Sequence, residues 1–298
     1  MRSRWPSGGG CEGPVTPFAR VTIVGVGLIG GSLGMAVRRR GLAREVVGVT
    51  RAAEAIAAAR ARGAIDHGTL VLEEAVAGAD LVVLATPPDA VVPAARRALP
   101  HLRPDAILTD VASVKGGIVR AIEAVAEPQG AVFVGGHPMA GNEGSGVASA
   151  DAELFERAVY VLTPTERIGP AAVARLADFA RALGARPVVL APDEHDRAVA
   201  IVSHLPYLIA AALVSVADGA AGAAGPAFLG ATRVAVSPVE LWTQICRLNR
   251  APIAAALAAF RSELAQLEAA LDDRDRAGAL LERARAARAR LGAARGEA

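Results

Sequence analysis

The spacing of apolar positions divides the chain into two parts. Short β-branched apolar runs recur up to residue 190, with Ala-rich helical stretches between most of them. Apolar strands that alternate with helices are typical of a parallel, doubly wound sheet with both faces covered. The predicted strands are 21–26, 45–49, 81–84, 106–109, 131–134, 158–162 and 187–190, and the predicted helices are 52–62, 90–98, 116–126 and 170–183. The first part is therefore predicted to be an α/β domain.

The second part has a helical pattern throughout. From Pro192 onward the strand signals vanish, and the leucines that mark amphipathic helices are Leu264, Leu267, Leu271, Leu280 and Leu281. We predict one domain over 18–190 and an all-helical domain over 191–298. Because helices so rich in Ala and Leu bury little apolar surface alone, we expect them to form a twofold dimer. The alternative is a monomer whose helices pack back on the sheet.

Composition and charge exclude several classes of partner. The formal net charge is +2 with mixed signs, which gives no basic face for nucleic acid. The longest apolar run, 205–216, is too short to span a bilayer, so we expect no membrane partner. Cys11 and Cys246 form no disulfide framework and fit a reducing cytosol, which predicts a cytoplasmic protein. Residues 1–17 lack the hydrophobic core of a signal sequence, and we expect a disordered tail there.

A glycine motif follows the first predicted strand. Gly25, Gly27 and Gly30 have G-x-G-x-x-G spacing between a β-branched run and a helix-like segment. The first glycine permits the tight turn, the second lets the backbone approach a pyrophosphate, and the third lets helix and strand pack closely. This order predicts a Rossmann-type site for NAD or NADP, and the alternative is a tight glycine turn in another α/β domain. The candidate cofactor contacts are Gly25, Gly27, Leu28, Ile29 and Gly30, together with Thr86 after the strand 81–84.

The end of the second predicted strand indicates which dinucleotide is preferred. An acidic residue at this place would bond the ribose 2′-hydroxyl of NAD. Thr50 and Arg51 stand there instead, and a guanidinium beside a hydroxyl suits the 2′-phosphate of NADP. We therefore predict NADP as the preferred cofactor. The alternative is that Arg51 stacks on the adenine and that NAD serves equally well.

Two polar segments lie at the carboxyl ends of predicted strands, where ligands bind in open α/β sheets. The first is Asp110-Val-Ala-Ser113-Val-Lys115, and Lys115 is the only lysine of the chain. A compact ammonium at this one place indicates a geometric demand, although a helix-capping serine beside a solvated lysine would give the same pattern. The second segment, 135–146, carries His137 and Glu143. A histidine on a glycine-rich loop at this edge is a candidate acid–base catalyst.

The helical part contributes further candidates. On a helix that starts near residue 193, one face carries Asp196, Ala200, Ser203, His204 and Tyr207. Asp196 and His204 are eight residues apart without a third ligand, so the pattern indicates a helix lining a cleft rather than a metal site. Pro206 lacks a backbone donor and is expected to kink this helix. Arg233 follows a glycine-rich link and is a candidate for holding a carboxylate.

Together these segments resemble the prephenate/arogenate dehydrogenases of tyrosine biosynthesis. The matching text is G-V-G-L-I-G-G-S from Gly25 to Ser32, D-V-A-S-V-K from Asp110 to Lys115, H-P-M-A-G from His137 to Gly141, S-H-L-P from Ser203 to Pro206, and the Thr232-Arg233 pair, with a similar run around Trp242, Asn249, Phe260 and Leu264. The resemblance extends from about residue 19 to about residue 292. It implies a Rossmann-type domain followed by a helical dimerisation domain.

The resemblance also implies an NAD(P)-dependent oxidative decarboxylation. A hydride leaves the hydroxyl-bearing ring carbon for the nicotinamide, the ring carboxylate departs as carbon dioxide, and the ring becomes aromatic. In this scheme His137 takes the proton of the substrate hydroxyl, while Ser113 orients His137 and lies beside the nicotinamide. Arg233 binds a substrate carboxylate, and His204 and Glu143 line the pocket. Because the role of His137 needs a neutral imidazole, activity is expected to fall at acid pH.

One position departs from the family pattern. Many members have S-H-L-P-H, and Tyr207 stands where that second histidine would be. Tyr207 keeps a hydroxyl donor but loses a possible cation, so it is expected to bind the substrate side chain differently. Members selective for arogenate often lack that histidine, and NADP-dependent members often carry a hydroxyl residue followed by Arg after the second strand. Both features favour arogenate, or a dual specificity for prephenate and arogenate.

Two other functions stay open on the sequence. One is an NADP-dependent hydroxyacid or imine reductase with the same two-domain plan. Those enzymes usually place a catalytic lysine in the second domain, and no lysine follows Lys115. The other is a catalytically dead dimer that senses the cofactor, and the joint presence of Ser113, His137 and Arg233 argues against it. Binding of NADPH without turnover of either substrate would favour the sensor.

Overall fold

The computed structural model of the protein describes residues 18–126, 131–217 and 219–295. The strands are β1 (Phe18–Val24), β2 (Ala43–Val49), β3 (His67–Thr69), β4 (Leu81–Leu84), β5 (Ile107–Asp110), β6 (Val132–Pro138), β7 (Val159–Thr163) and β8 (Arg186–Val189). The helices are α1 (Leu28–Arg39), α2 (Ala53–Ala61), α3 (Leu72–Val76), α4 (Pro88–Ala98), α5 (Gly116–Ala126), α6 (Pro170–Ala182), α7 (Pro192–Val199), α8 (Leu205–Val216), α9 (Pro226–Thr232), α10 (Val239–Leu248), α11 (Arg250–Glu268) and α12 (Arg274–Arg295). Strands and α-helices alternate up to β8 except between β6 and β7, and the described chain after β8 is helical, as predicted.

The strands form one sheet in the order β3-β2-β1-β4-β5-β6-β7-β8. From β3 to β6 the neighbours are parallel, and the order is that of doubly wound nucleotide-binding sheets. The predicted parallel, doubly wound sheet is confirmed with one exception: β7 is antiparallel to β6, with His137 opposite Val161. The cause is the connection 139–158, which contains turns and a short 3-10 segment but no α-helix to cross the sheet.

Buried clusters cover both faces of the sheet. On β4, Leu81 and Val83 belong to one cluster, whereas Val82 and Leu84 belong to the other. Successive side chains of a strand point to opposite faces, so each cluster lies against one face. Residues of α1 and α6 complete the first cluster, and residues of α4, α5 and α10 complete the second. The sheet is therefore buried on both sides, which explains its continuous apolar strands.

Two short elements have no counterpart in the predicted set. β3 has three residues and includes Gly68, and α3 has five residues. Neither is long enough to show a full alternating or helical period, which is the signal on which the sequence prediction depends.

The helical stretch after β8 is irregular near its middle. A π-helical turn at Ala200–His204 joins α7 to α8, so that residues 192–216 are helical without a break. We expected a kink at Pro206, and the structure has this π-helical turn directly before the first turn of α8, where Pro206 lies. A π turn inserts an extra residue into the helix and is frequent at functional sites.

The sequence predicts no membrane span because the apolar run 205–216 is too short. The helical stretch in the structure is longer than that run. Pro192–Val216 has 25 residues, and by length and composition alone it is long and apolar enough to cross a membrane. A window of it has a mean hydropathy of 2.0 and is 22% buried. Helices of soluble proteins meet the same criterion, so the criterion is weak, but the length argument against a span does not hold.

By its contacts the chain divides into two compact units, one up to Arg250 and one from Ala251. This division comes later than residue 190, because α7 packs on α5 and α10 packs on α4 within the first unit. The predicted boundary at 190/191 follows the change from strands to helices instead, and it stays a prediction. The predicted tail, 1–17, lies outside the described residues, and Cys11 lies there with it.

Candidate active site

The turn between β1 and α1 has the shape that a pyrophosphate needs. Gly25 has a φ of +95°, and a Cβ there would lie 2.7 Å from the carbonyl oxygen of Ala85. A Cβ on Gly30 would lie 2.0 Å from the carbonyl oxygen of Gly25, so α1 packs close to β1 only without that side chain. Gly27 has no atom within 4 Å of its Cβ position, which leaves this surface open to a ligand.

The N-terminus of α1 is free to bind an anion. The helix begins with Leu28 and Ile29, and no side chain caps it at Gly27. Its first N–H groups therefore stay available, and the helix dipole favours negative charge there. Thr86 follows β4 beside this turn, and its hydroxyl oxygen is buried without a hydrogen-bond partner among the described residues. The open glycine and the unpartnered hydroxyl fit a dinucleotide.

Thr50 and Arg51 follow β2, the neighbour of β1 in the sheet. The Thr50 hydroxyl donates to the carbonyl oxygen of Ala52 at 2.9 Å. Arg51 is exposed, and within the described ranges it makes no hydrogen bond or ion pair. Its guanidinium is therefore free to bind a ligand phosphate.

A buried ion pair lies at the carboxyl end of β5. Lys115 and Asp110 are both fully buried, and Nζ of Lys115 donates to Oδ2 of Asp110. Nζ also donates to the carbonyl oxygen of Gly136 at 2.8 Å, and Asp110 accepts the Gly136 N–H at 3.2 Å. Burial lowers the pKa of Lys115, and the Asp110 carboxylate opposes that shift. The pair holds the backbone directly before His137, so the interpretation of Lys115 as a solvated lysine is wrong.

His137 is the first member of a buried chain of hydrogen bonds. Its Nδ1 lies 2.8 Å from Nε2 of His195, and Nδ1 of His195 lies 2.9 Å from Oδ1 of Asp196. The backbone N–H of Lys115 donates to Oδ1 of Asp196 at 2.7 Å, and that of Gly116 donates to Oδ2 at 2.8 Å. The chain joins β6, the start of α5 and α7.

This chain of hydrogen bonds assigns the imidazole protons. Asp196 already accepts two backbone donors as a carboxylate, so it also accepts the Nδ1 proton of His195. Neutral His195 then has its lone pair on Nε2, and Nδ1 of His137 must be the donor to it. Nε2 of His137 consequently carries a lone pair, which is the state that accepts a proton.

The pKa values agree with this assignment. Burial lowers the pKa of His137 well below its ordinary value, and the nearby His195, Lys115 and His204 lower it further. Burial also lowers the pKa of His195, although Asp196 opposes the shift. Burial raises the pKa of Asp196, but hydrogen bonds from His195 and from two backbone N–H groups outweigh burial and leave it lowered. At neutral pH the chain is one carboxylate and two neutral imidazoles.

The expectation that Ser113 orients His137 is not met. Ser113 lies between β5 and α5, partly buried, and in the described part of the chain its hydroxyl makes no hydrogen bond to His137. His195 makes the hydrogen bond to His137 instead. It can do so because α7 packs on α5 and brings its buried face to the end of β6. The placement of Ser113 beside the nicotinamide stays a prediction.

His204 is a further buried histidine of this region. Its Nδ1 lies 3.1 Å from Nδ2 of Asn249, while its Nε2 has no hydrogen-bond partner among the described residues. Burial lowers the pKa of His204 to about 4. The ring of Trp242 meets His204 edge to face at 5.9 Å and stacks on Tyr207 at 3.7 Å, with an angle of 2° between the planes. Tyr207 therefore lies in an aromatic stack beside His204.

Arg233 and Glu143 are brought together as an ion pair. The guanidinium donates to Oε1 of Glu143, and the Arg233 side chain is 66% exposed. The segment that carries Glu143 is tied to α1, since the Ser32 hydroxyl accepts the N–H of Asp151 at 2.9 Å. Arg233 thus pairs with a carboxylate of the protein, and its binding of a substrate carboxylate stays a prediction.

Sequence reasoning missed the roles of His195 and Asn249. The residues selected on this helix lie on the same face as Asp196, and the neighbouring His195 lies on a different face. The available signal was Glu-His-Asp at the start of a helix that follows a strand. Asn249 gave no local signal, because its partners are about 45 and 53 residues away.

Two family models match the chain. The model described as "Prephenate dehydrogenase, nucleotide-binding domain" matches residues 33–189, and the model described as "Prephenate dehydrogenase, dimerization domain" matches residues 191–284. The prephenate dehydrogenase of Bacillus subtilis is 34% identical over 239 residues, which are 77% of this chain and 64% of that protein. The chain thus spans less than two thirds of the B. subtilis protein.

Solved structures share the fold over most of the chain. Synechocystis arogenate dehydrogenase is 33% identical with a TM-score of 0.79, covering 91% of this chain and 99% of that one. The prephenate dehydrogenase of Aquifex aeolicus, in complex with hydroxyphenyl propionate and NAD+, is 28% identical with a TM-score of 0.81, covering 91% and 98%. These matches confirm the resemblance drawn from the motifs. The chain belongs to the prephenate dehydrogenase family, whose members are NAD(P)-dependent dehydrogenases of tyrosine biosynthesis.

Proposed function

We propose that this protein catalyses the oxidative decarboxylation of prephenate or arogenate and prefers NADP to NAD. The product is 4-hydroxyphenylpyruvate from prephenate and tyrosine from arogenate. The observation that carries the proposal is the buried chain from Asp196 through His195 to His137, which leaves a neutral imidazole with a free lone pair. The similar structures from A. aeolicus and Synechocystis are a prephenate and an arogenate dehydrogenase.

His137 takes the proton of the substrate hydroxyl. As the hydride leaves the ring carbon, the hydroxyl oxygen forms a carbonyl and its proton moves to Nε2 of His137. The positive charge that develops is stabilised through His195 by the Asp196 carboxylate. When carbon dioxide leaves, the electron pair of the broken bond enters the ring, and the oxygen regains the proton as a phenol.

The cofactor supplies the hydride acceptor when it is bound. Gly25, Gly27 and Gly30 would hold its pyrophosphate with the N-terminus of α1, next to Leu28 and Ile29. The residues nearer the nicotinamide would be Thr86 and Ser113.

The preference for NADP depends on the residues after β2. Arg51 is exposed and has no protein partner in the described ranges, so its guanidinium can bind the 2′-phosphate with two hydrogen bonds. The Thr50 hydroxyl would turn from the carbonyl of Ala52 to donate to the same phosphate.

Arg233 and the aromatic stack form the substrate side of the proposed site. Arg233 binds a substrate carboxylate, and Glu143 must then release the guanidinium that it holds. His204 and Tyr207 contact the remainder of the substrate. Tyr207, stacked on Trp242, presents a hydroxyl where a second histidine would supply a cation.

We further propose that the protein is a cytoplasmic homodimer. Within the described ranges, the exposed large apolar side chains lie after residue 200, apart from Leu70 and Val71. Ile201 and Val216 are 59% and 83% exposed on the helical stretch that also buries His195 and His204. Buried polar groups of a site argue against a membrane span, and an exposed apolar face is typical of a subunit interface. The match to a dimerization-domain model supports the dimer.

The test of the proposed function is the formation of reduced nicotinamide by the purified protein, with prephenate and arogenate each combined with NAD and NADP. We expect turnover, with the higher kcat/KM for NADP. A higher kcat/KM with NAD would contradict the cofactor assignment. Tight NADPH binding without turnover in any combination would contradict the activity and favour a cofactor sensor.

A further inference from the structure

We propose that Asn249 fixes the tautomer of His204, so that a neutral Nε2–H group is held for an oxygen atom of the substrate. The inference rests on the proposed function, because it concerns the substrate side of the same site. Asn249 acts through His204 and is therefore a positioning residue.

The hydrogen bonds of Asn249 assign the orientation of its amide. Its Nδ2 lies 2.9 Å from the carbonyl oxygen of Asp196. A carbonyl oxygen can only accept, so the nitrogen of the amide, and not its oxygen, must face Asp196. The same Nδ2 lies 3.1 Å from Nδ1 of His204. The amide donates one proton to each partner, and Nδ1 of His204 accepts with its lone pair.

The remaining proton of neutral His204 must then lie on Nε2. This atom is buried and has no hydrogen-bond partner among the described residues. The neighbouring Trp242 meets His204 edge to face at 5.9 Å, and its indole N–H is a donor, so it gives Nε2–H no acceptor. Buried donors without an acceptor are rare in folded proteins, and each requires an explanation. His204 is close enough to His137 to lower its pKa, so the unpartnered donor belongs to the region of the proposed chemistry.

A neutral Nε2–H group determines what it can bind. It pairs with a carboxylate, keto or hydroxyl oxygen, and it has no lone pair to offer an ammonium group. Prephenate and arogenate both carry carboxylates, whereas only arogenate carries an ammonium. His204 therefore contacts an oxygen atom in either substrate and does not discriminate between them. Discrimination falls to other side chains, of which Tyr207 is the nearest candidate in the same aromatic stack.

Asn249 also connects the substrate side to the proton-transfer chain. The carbonyl that it holds belongs to Asp196, whose carboxylate orients His195. The charged and titratable groups that act on His204 are Asp196, which raises its pKa, and His195, which lowers it. A carboxylate at position 249 would change this balance, because it would accept a proton from Nδ1 instead of donating one.

The experiment is nitrogen-15 NMR of the full-length protein labelled at histidine. The chain has five histidines, so a single H204Q variant identifies the signals of His204. In the wild-type protein at neutral pH we expect Nδ1 of His204 without a proton and Nε2 with one. A proton on Nδ1, or on both nitrogens, would overturn the proposal.

Two variants at position 249 test whether Asn249 determines the tautomer of His204. In N249D we expect the proton to move to Nδ1, and in N249L, which has no donor, we expect the tautomers to mix. If N249D does not fold, as judged by circular dichroism and NADP binding, N249L and the wild-type spectra decide. An unchanged His204 tautomer in N249L would overturn the role of Asn249.

Kinetics provide the functional measurement. N249D should raise the KM for the substrate at least about tenfold, while the KM for NADP stays unchanged and kcat falls less. A moved proton with an unchanged KM would overturn the assignment of His204 to the substrate. Because the spectra need no turnover, inactivity with both substrates would contradict the proposed function and leave the tautomer result readable.

Discussion

The Nδ1 atom of His137 lies 2.8 Å from the Nε2 atom of His195. His137 is the last residue but one of β6, and His195 lies in the first turn of α7, so the bond joins the nucleotide-binding sheet to the start of the helical part. Because Asp196 fixes the proton of His195 on Nδ1, this one contact determines which nitrogen of His137 carries a lone pair.

Replacing His195 tests that contact with a matched pair of variants. H195L removes the acceptor for Nδ1 of His137 and should lower kcat about 100-fold, because His137 loses its orientation and its charge partner. H195Q places an amide oxygen where Nε2 was and should retain more of kcat than H195L. Steady-state kinetics with saturating NADP provide the measurement. Equal kcat for H195L and the wild-type protein would contradict a role in catalysis for the hydrogen bond between His137 and His195.

The Lys115–Asp110 pair predicts a large effect on stability. K115M leaves a buried carboxylate without its cation and should lower the free energy of unfolding by about 3–5 kcal/mol. The double variant K115M/D110N removes that charge and should recover part of the loss. Urea unfolding is the measurement, and R97A is the control, since Arg97 pairs with Glu73 on the surface and its loss should change the free energy of unfolding far less than K115M does. A K115M protein as stable as wild type would show that the pair is not needed.

Activity should persist when the pH falls below the ordinary pKa of a histidine side chain. The active form has a neutral His137, and burial lowers the pKa of this imidazole well below its usual value of about 6.5. Protonation therefore sets in late, and the acid side of the kcat/KM profile should fall only below about pH 6.5. A midpoint at or above that value would mean that His137 is solvated, or is not the base.

The free energy of unfolding should also decrease as the pH falls. His137, His195 and His204 have lowered pKa values in the folded protein. At a pH between the pKa values of the folded and the unfolded protein, the unfolded chain therefore binds more protons. The free energy of unfolding should thus decrease as the pH falls from about 6.5 toward 4, by roughly 3 kcal/mol from His204 alone. Thermal unfolding across this range is the measurement. A stability that rises on acidification would contradict the buried, neutral state of these imidazoles.

Arg233 is predicted to act on substrate binding. R233A should raise the KM for the substrate by the equivalent of about 2–4 kcal/mol, because a substrate carboxylate loses its partner. E143Q removes the carboxylate that competes for the guanidinium and should not raise KM. R285A is the control, since Arg285 forms an exposed pair with Glu282 and should leave KM unchanged. A normal KM for R233A would make Arg233 structural.

The sequence predicted what is encoded locally and missed what depends on distant contacts. The glycine turn, the buried strands and the position of His137 follow from short patterns, and the structure contains them. The antiparallel edge was missed because an apolar strand has the same pattern in either direction. The partner of His137 was missed for a similar reason: His195 is 58 residues away, and only the packing of α7 brings it close.

The most direct test of the account is turnover by H137N under saturating NADP and substrate. If the neutral imidazole of His137 accepts the proton of the substrate hydroxyl, kcat should fall about 100-fold or more. The dissociation constant of NADP should not change, because the β1–α1 turn that would hold the cofactor is intact. A kcat equal to that of the wild-type protein would remove His137 from the mechanism and contradict the central claim.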